Sequence, residues 1–367
     1  MSVRGLILQQ FRCHKNLTLT FDAPEIGQPM ITGIVGNNAV GKTSIVEALA
    51  LLSTGESFRA ERDEDIISFG AELSRLKTKL EVEGEGDVLE SLLTRGILQG
   101  KAVQRKHFFV NGTRRRKKDF LGHFTTVVFR PEDMRLVEGS PSRRRQFIDT
   151  ILGAIHPEYS ISLTTYENAL KRRNKLIDQV QQHLMSRTVL SYWTQLLLKH
   201  GGLVQEYRSK LFAAFAASEF PILFKVVYDP SIVSEERFAM YAEKEIAAGH
   251  TLIGPHKDDF FVHFLSTQEA GAQWRDVAQF GSRGQQRLAV LWLKLNELEY
   301  VERVTGQRPL LLLDDILSEL DREHRSQVEE LLRVGQSVIT TTEPAIIDDL
   351  LVKFPSLQVI RLSVKIS

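Results

Sequence analysis

The sequence predicts an α/β fold with a mixed sheet, built around a phosphate-binding loop and extended by a helical lobe with a short antiparallel helical arm. Three observations carry this prediction. An apolar run, Met30–Val35, feeds the loop Gly36-Asn37-Asn38-Ala39-Val40-Gly41-Lys42-Thr43, which passes directly into SIVEALALL. Far downstream, Leu310–Leu313 is a continuous apolar run ending in Asp314-Asp315, as suits a parallel strand covered on both faces. Between them, two long segments carry apolar residues at helical spacing.

Taken in order, Leu6, Leu8, Leu17, Leu19 and Phe21 alternate with mainly polar residues, and FRCHKN lies between them as a turn, so the chain opens on an antiparallel strand pair. Met30–Val35 reads as a buried strand and Thr43–Leu52 as a helix. From Arg75 to Val110 short alternations end at Asn111-Gly112, a strong hairpin-turn signal, and predict a small antiparallel sheet. Thr125–Phe129 is a further strand. In SPSRRRQFID, Ser142 is a plausible cap for a helix opening over Arg143–Asp149. Leu163, Tyr166, Leu170, Ile177, Val180 and Leu184 mark one long helix; Leu190, Trp193, Leu197, Val204, Tyr207, Leu211 and Phe215 mark a second. The turn at Ser186-Arg187 makes them a hairpin. A strand follows over Leu223–Tyr228, a helix over Glu235–Ala248, a strand in FFVHF and a helix from Gly281–Arg287 to about Arg303. Ser337–Thr342 and Leu357–Leu362 read as strands.

Composition sets the outer bounds. The 367 residues are 43% hydrophobic and 25% charged, as in a globular chain of two or three lobes. A single cysteine, Cys13, excludes an intrachain disulfide and fits a reducing cytoplasm. No apolar run approaches the roughly 20 residues needed to span a bilayer, and Arg12, His14 and Lys15 arrive too early for a secretory leader. Net charge is only +1, but eight Lys/Arg and no Asp/Glu fall between Lys101 and Lys118, ending in Arg114-Arg115-Arg116-Lys117-Lys118.

The loop carries the chemistry. Gly36 and Gly41 permit backbone angles that a Cβ penalises, and the loop N–H groups with the following helix start form an anion site. Lys42 is placed to reach the β- and γ-phosphates and the Thr43 hydroxyl to hold Mg²⁺. The strand Leu310–Leu313 delivers Asp314 to the Mg²⁺ shell and Asp315 to orient or deprotonate an attacking water. Ser318-Glu319-Leu320-Asp321 follows, readable as a helix cap with Ser318 capping. Ser282-Arg283-Gly284-Gln285 lies 32 residues before Asp314. A serine, a glycine and a helix start make a second anion site in a chain that already has a complete cradle. Two phosphate readers suggest ATP sandwiched between two copies.

This set of motifs resembles the ATP-binding-cassette (ABC) heads of the SMC and DNA-repair branch. More particularly, the chain is similar to the RecF family of bacterial recombination mediators. The likeness rests on Phe11-Arg12 with Asn16-Leu17, GNNAVGKTSIVEALALLSTGESFR, FRPEDMRLVEGSPSRRRQFID, GPHKDD, SRGQQRLAVLWLKL and LLLLDDILSELD, in that order and over nearly the whole chain. It implies an ABC-type head in two lobes: an ATP-binding lobe of residues 1–135 with 305–367, and a helical lobe of 136–304 with the short arm and signature motif. It implies ATP and Mg²⁺ as cofactors, ATP-dependent homodimerisation, slow DNA-stimulated hydrolysis used as a switch, and nucleotide contact by Arg12, Ser282, Gly284 and Gln285. It also implies binding of duplex, gapped or junction DNA and recombinase loading with RecR in cytoplasmic repair, replication and the SOS response. Against the family pattern, Ala39 stands where glycine is more usual. The glutamine expected before the helical lobe is missing, with Glu132 or Asp133 the nearest candidate for its metal contact. Asp315 replaces the more common glutamate. No histidine follows Ile339; Thr341 or Glu343 is the substitute.

Arg114–Lys118 could neutralise DNA phosphates, with a solvated loop as the plainer alternative. Arg143–Arg145 could do the same or pair internally with Glu132, Asp133 or Glu138. His256-Lys257-Asp258-Asp259 lacks a second histidine at ligand spacing and reads as an organiser of the lobe interface rather than a metal site. Two other classes compete: the ATPase subunit of a transport-type cassette, which would need a separate membrane subunit, and a nuclease-linked ABC system, which would need an acidic metal cluster.

Overall fold

The computed structural model describes residues 1–23, 27–82, 84–218, 224–266, 272–318, 320 and 322–363. They form two compact units: Met1–Glu132 together with Val301–Ser367, and Asp133–Tyr300.

The first unit contains two sheets of different character. One is antiparallel, its strands in the spatial order His14–Thr20, Ser2–Phe11, Leu73–Val82, Glu85–Thr94, Lys106–Val110 and Thr113–Arg115. The opening strand pair and the small sheet expected separately are thus one sheet. Leu8 lies opposite both Leu17 and Leu76, and that long-range pairing leaves no local sequence signal. Asn111 and Gly112 both adopt left-handed φ (50° and 75°), as a tight hairpin demands. The second sheet is parallel throughout, in the order Thr126–Phe129, Leu310–Asp314, Gln336–Thr341, Met30–Val35, Gln358–Arg361. The antiparallel and parallel strands of this α/β fold are therefore segregated rather than mixed in one sheet.

The helix Lys42–Thr54 packs against strands of both sheets. That position explains SIVEALALL, which is apolar on every side: Ile45, Val46, Ala48, Leu49, Leu51 and Leu52 are all buried. Truncating Leu49 to alanine would cost about 2–5 kcal/mol.

The second unit combines the helices Pro141–Ile155, Pro157–Gln181, Ser191–Ala216 and Glu235–Ala248 with a three-stranded antiparallel sheet of Phe224–Asp229, Asp259–Ser266 and Gln273–Asp276. The two longest helices pack together as the expected hairpin around Tyr166, Ala169 and Leu197. The first stops at Gln181, so Leu184 lies beyond it and is exposed rather than part of its apolar stripe. The helix opening near the arginine triplet begins at Pro141, with Ser140, not Ser142, in the cap position: proline's fixed φ suits the first helical turn. Among the described residues no helix is capped by Ser318. Its hydroxyl donates to the Asp315 carbonyl at 2.7 Å, while Glu319 and Asp321 lie outside the described residues.

Candidate functional site

The loop leaving Met30–Val35 is shaped by backbone that side chains would block. A Cβ on Gly36 would sit 2.7 Å from the Leu362 carbonyl oxygen, and one on Gly41 2.3 Å from His14 Nε2. Gly41 is left-handed, φ 97°, and so is Ala39, φ 66°, at the position where the resemblance leads one to expect glycine. The left-handed region costs an L-residue about 1–2 kcal/mol. Lys42 opens the helix and folds back, its ammonium donating to the carbonyls of Gly36 (2.8 Å) and Asn37 (3.0 Å). Burial pushes its pKa down, and the charges of Asp315 and Asp314 oppose that.

Thr43 and Asp314 meet across the strand end. The Thr43 hydroxyl donates to Asp314 Oδ1 at 3.1 Å, and Thr340 donates to the same oxygen at 2.7 Å. Burial pushes the Asp314 carboxyl above its ordinary range. The two hydroxyls counter this, and the charges of Glu132 and Asp315 add to it. Asp315 takes a left-handed φ of 54°, its N–H donating to the Thr340 carbonyl at 3.1 Å. A strained residue directly after a buried carboxylate is the kind of backbone found at functional sites.

Lys42, Thr43 and Asp315 line a cavity of about 630 Å³ together with Arg12, Arg59 and Phe69 among others. Of the expected site residues, Gly36–Thr43, Asp314, Asp315 and Arg12 gather around this cavity or its strand ends. Glu132 is exposed, and its charge is felt at Asp314. Arg12 spends three of its donors inside the protein: Nε and Nη2 on the Glu47 carboxylate (2.9 and 2.6 Å) and Nη1 on the Asp65 carbonyl (2.8 Å).

Sequence reasoning missed Glu47, although it is the one charged residue in SIVEALALL and is fully buried. It missed Thr340, Arg59 and Phe69 as well. It also missed the Cys13–His14 pair beside Gly41, where His14 Nε2 lies 3.0 Å from the Gly41 carbonyl oxygen. A hydrogen bond with His14 lowers the Cys13 pKa. Burial alone would lower His14, but its bonds to Cys13 and Gly41 outweigh burial and raise it.

Ser282, Gly284 and Gln285 belong to the second unit. Gln285 N–H donates to Ser282 Oγ at 3.3 Å, and Ser282 N–H donates to Gln285 Oε1 at 2.8 Å. This is a capping box at the start of the helix Arg283–Thr305. S-x-x-Q is legible as such, and Ser282 keeps its own proton to donate. Ser282 and Gly284 are exposed.

Two of the three arginines bond internally, but not with the acids expected, while Arg143 is exposed. Arg144 makes a two-pronged bond to Asp259 (2.6 and 2.7 Å) and Arg145 donates to the Asp258 carbonyl at 2.9 Å; Glu138 pairs with Arg283 instead. The partners lie more than a hundred residues away, which adjacency cannot reveal. GPHKDD is likewise a correction. Asp258, fully buried, receives Arg208 Nη1 (2.8 Å), Tyr228 Oη (2.5 Å), Gln205 Nε2 (2.9 Å) and Ser231 N–H (2.8 Å), all within the second unit, so it organises that unit's interior. No cluster of three or more metal-ligating side chains occurs among the described residues. The run Arg114–Lys118 follows the hairpin turn on the sheet's short edge strand. Arg114 bonds Gln104 and Lys117 bonds Glu56 (both 2.5 Å), while Arg115, Arg116 and Lys118 are exposed. Charge on a short edge strand also deters edge-to-edge pairing. No helix among the described residues is long and apolar enough to cross a membrane.

A glycine-framed cradle on a parallel strand, with a lysine and a hydroxyl–carboxylate pair beside it and an antiparallel sheet against its helix, defines the head of an SMC-type P-loop ATPase. The RecF/RecN/SMC N-terminal domain family matches residues 2–349. DNA replication and repair protein RecF of Thermomicrobium roseum is 34% identical, covering 95% of both chains, and that of Oceanobacillus iheyensis 32%, covering 93% and 94%. Two solved structures, described as the recombination mediator protein RecF with ATPrS and with ATP in the RecFOR pathway, superpose with TM-scores of 0.82 and 0.79. Their identities are 26% and 28%, with coverage of 99% and 93% of this chain and 96% and 92% of theirs. The chain belongs to the RecF family.

Proposed function

We propose that this chain is an ATP-switched recombination mediator acting in DNA repair and at replication forks in the cytoplasm. The observation that carries the reading is the cradle itself. Its two glycines let the loop close against Leu362 and His14 where a Cβ would collide, Lys42 supplies a cation, and Thr43 with Asp314 presents the oxygen donors a hard divalent ion prefers. ATP and Mg²⁺ fit this donor set. Gly36–Gly41 and Lys42 would hold the triphosphate, Arg12 would add a contact, and Thr43 and Asp314, with Glu132, would hold the ion. Bound Mg²⁺ supplies charge neutralisation at the phosphates. Asp315 would orient the attacking water, and hydrolysis serves as a switch rather than as a metabolic reaction.

In this reading the first unit is the ATP-binding lobe and the second the helical lobe. Ser282, Gly284 and Gln285 of one copy close on the nucleotide held by the other, the helix N-terminus adding its partial positive charge. The closed dimer binds duplex, gapped or junction DNA through backbone phosphates, Arg114–Lys118 being candidate contacts, and works with RecR to load recombinase. ATP favours the closed state through its differential contacts there, and hydrolysis releases them.

The deciding experiment is the mass in solution with and without ATP and gapped DNA. A dimer that needs ATP is expected for the parent chain, none for Lys42→Ala, and an ATP-binding monomer for Ser282→Arg. A Ser282→Arg chain that still dimerises with ATP defeats the sandwich. Filter binding across a salt series should show the steep dependence of phosphate-dominated contacts.

A further inference from the structure

Glu47 carries a charge into the least hospitable place in the first unit. It lies in the helix that follows the cradle and is fully buried, yet it does not line the nucleotide cavity. Around it converge Arg12, from the turn after the first strand, and Arg59 and Ser57, from the segment after the helix. Arg12 takes both carboxylate oxygens, Ser57 donates its hydroxyl to Oε1, and Arg59 Nη1 stands 3.7 Å from Oε2. Both arginines line the cavity.

A guanidinium has five N–H donors in a rigid plane. Glu47 and the Asp65 carbonyl occupy three of those on Arg12 and leave two. The bidentate grip fixes the plane and therefore the direction in which the remaining pair points. A lysine at position 12 could not be fixed this way, having a single rotatable ammonium. The carboxylate also cancels one of the positive charges that Lys42, Arg12 and Arg59 would otherwise set against one another across the cavity.

We propose that Glu47 is a positioning residue for nucleotide recognition: from behind the cavity wall it holds Arg12 in the one orientation that meets the part of ATP lying beyond the phosphate cradle, and its charge draws Arg59 to the same place. This rests on the nucleotide-binding reading above. It adds a division of labour, in which the loop and Lys42 hold the triphosphate and the Glu47-set arginines hold the remainder.

The test compares two probes, ATP and inorganic tripolyphosphate, by calorimetric titration of the full chain. Glu47→Gln keeps the side chain's shape but loses the two-oxygen grip. ATP affinity should fall about tenfold, with tripolyphosphate affinity unchanged. A merely structural role would weaken both probes together and would overturn the proposal. In an Arg12→Ala background, Glu47→Gln should cost nothing further in ATP affinity, and additive losses would also overturn it. Should Glu47→Gln fail to fold, Ser57→Ala decides, since it leaves the carboxylate and its grip on Arg12 in place while removing one bond to Oε1 and the bonds that Ser57 Oγ accepts from the Arg59 and Ala60 N–H groups. A two- to threefold loss confined to ATP supports the proposal, and an unchanged ATP affinity refutes it. If the parent chain binds tripolyphosphate but not ATP, or binds neither, the nucleotide reading itself has failed, a result distinct from either of these.

Discussion

Asp258→Asn isolates the charge at the centre of the second unit without opening a cavity, since the two side chains are nearly isosteric. The carboxylate is fully buried against Arg208, itself buried, and also receives Tyr228, Gln205 and the Ser231 N–H. An asparagine oxygen in the Oδ1 position could still accept from Gln205 and Ser231. Its NH₂ would then face the donors of Arg208 and Tyr228. Arg208 would be left with Asp149 at 2.7 Å, the Pro255 carbonyl at 2.8 Å and the Tyr159 hydroxyl at 3.2 Å. Removing one partner of a buried ion pair costs about 3–5 kcal/mol, a large share of the roughly 5–15 kcal/mol that a domain possesses. With a urea dependence of about 2 kcal/mol per molar, the unfolding midpoint should fall by about 1.5–2.5 M. All three tryptophans, Trp193, Trp274 and Trp292, lie in the second unit, so intrinsic fluorescence follows that unit alone and avoids a two-state treatment of the whole chain. A midpoint within 0.5 M (about 1 kcal/mol on the same scale) of the parent would mean that Asp149, Tyr159 and the Pro255 carbonyl suffice for Arg208, and the hub argument would fall.

Three other perturbations are informative. Ala39→Gly removes a left-handed alanine at a gain of about 1–2 kcal/mol and returns about 0.5–1 kcal/mol in chain entropy, so calorimetry should show the first unit melting about 1–3 °C higher; no rise would mean the loop strain is absent. Cys13, the only thiol, should be alkylated with a pH midpoint below the roughly 8.5 of free cysteine, and His14→Asn should move that midpoint upward; a parent midpoint at or above the free value contradicts the pairing. His256 is held neutral by burial, its pKa pushed down to about 4 from 6.5, with Nδ1 2.7 Å from Tyr166 Oη and Nε2 3.2 Å from the Thr251 carbonyl oxygen. The unfolded chain then binds the extra proton between those values, so stability present above pH 6.5 is lost on acidification, by about 3 kcal/mol at pH 4. His256→Gln should flatten that part of the tryptophan-monitored profile, and an unaltered slope would show that other groups are responsible.

What the sequence made legible was local. Met30–Val35 and Glu235–Ala248 have the expected limits, because a strand between turn signals and an amphipathic helix capped by Ser234 are written in consecutive residues. Asn111-Gly112 names its own turn. The partners of Arg144, Arg145 and Asp258 were out of reach, because each contact joins residues that only the folded chain brings together. Ser282 was legible twice over, as an anion site and as a capping box, and the hydrogen bonds display the second. Around the cradle, the glycines and Lys42 could be read from spacing. Glu47 could have been found from the oddity of a lone charge in an apolar helix, had burial been foreseen.

The order of the parallel sheet has a consequence for how the protein comes to exist. Met30–Val35, the strand that feeds the cradle, has as its two neighbours Gln336–Thr341 and Gln358–Arg361, and the Gln336 amide clasps both backbone groups of Val3 at 2.7 and 2.8 Å. On the ribosome, this strand must wait, apolar and without its sheet neighbours, for roughly three hundred residues of synthesis before either flank arrives. The second unit can fold in that interval. The cradle cannot, so a nascent chain gains its grip on nucleotide only after Gln336–Thr341 and Gln358–Arg361 have emerged.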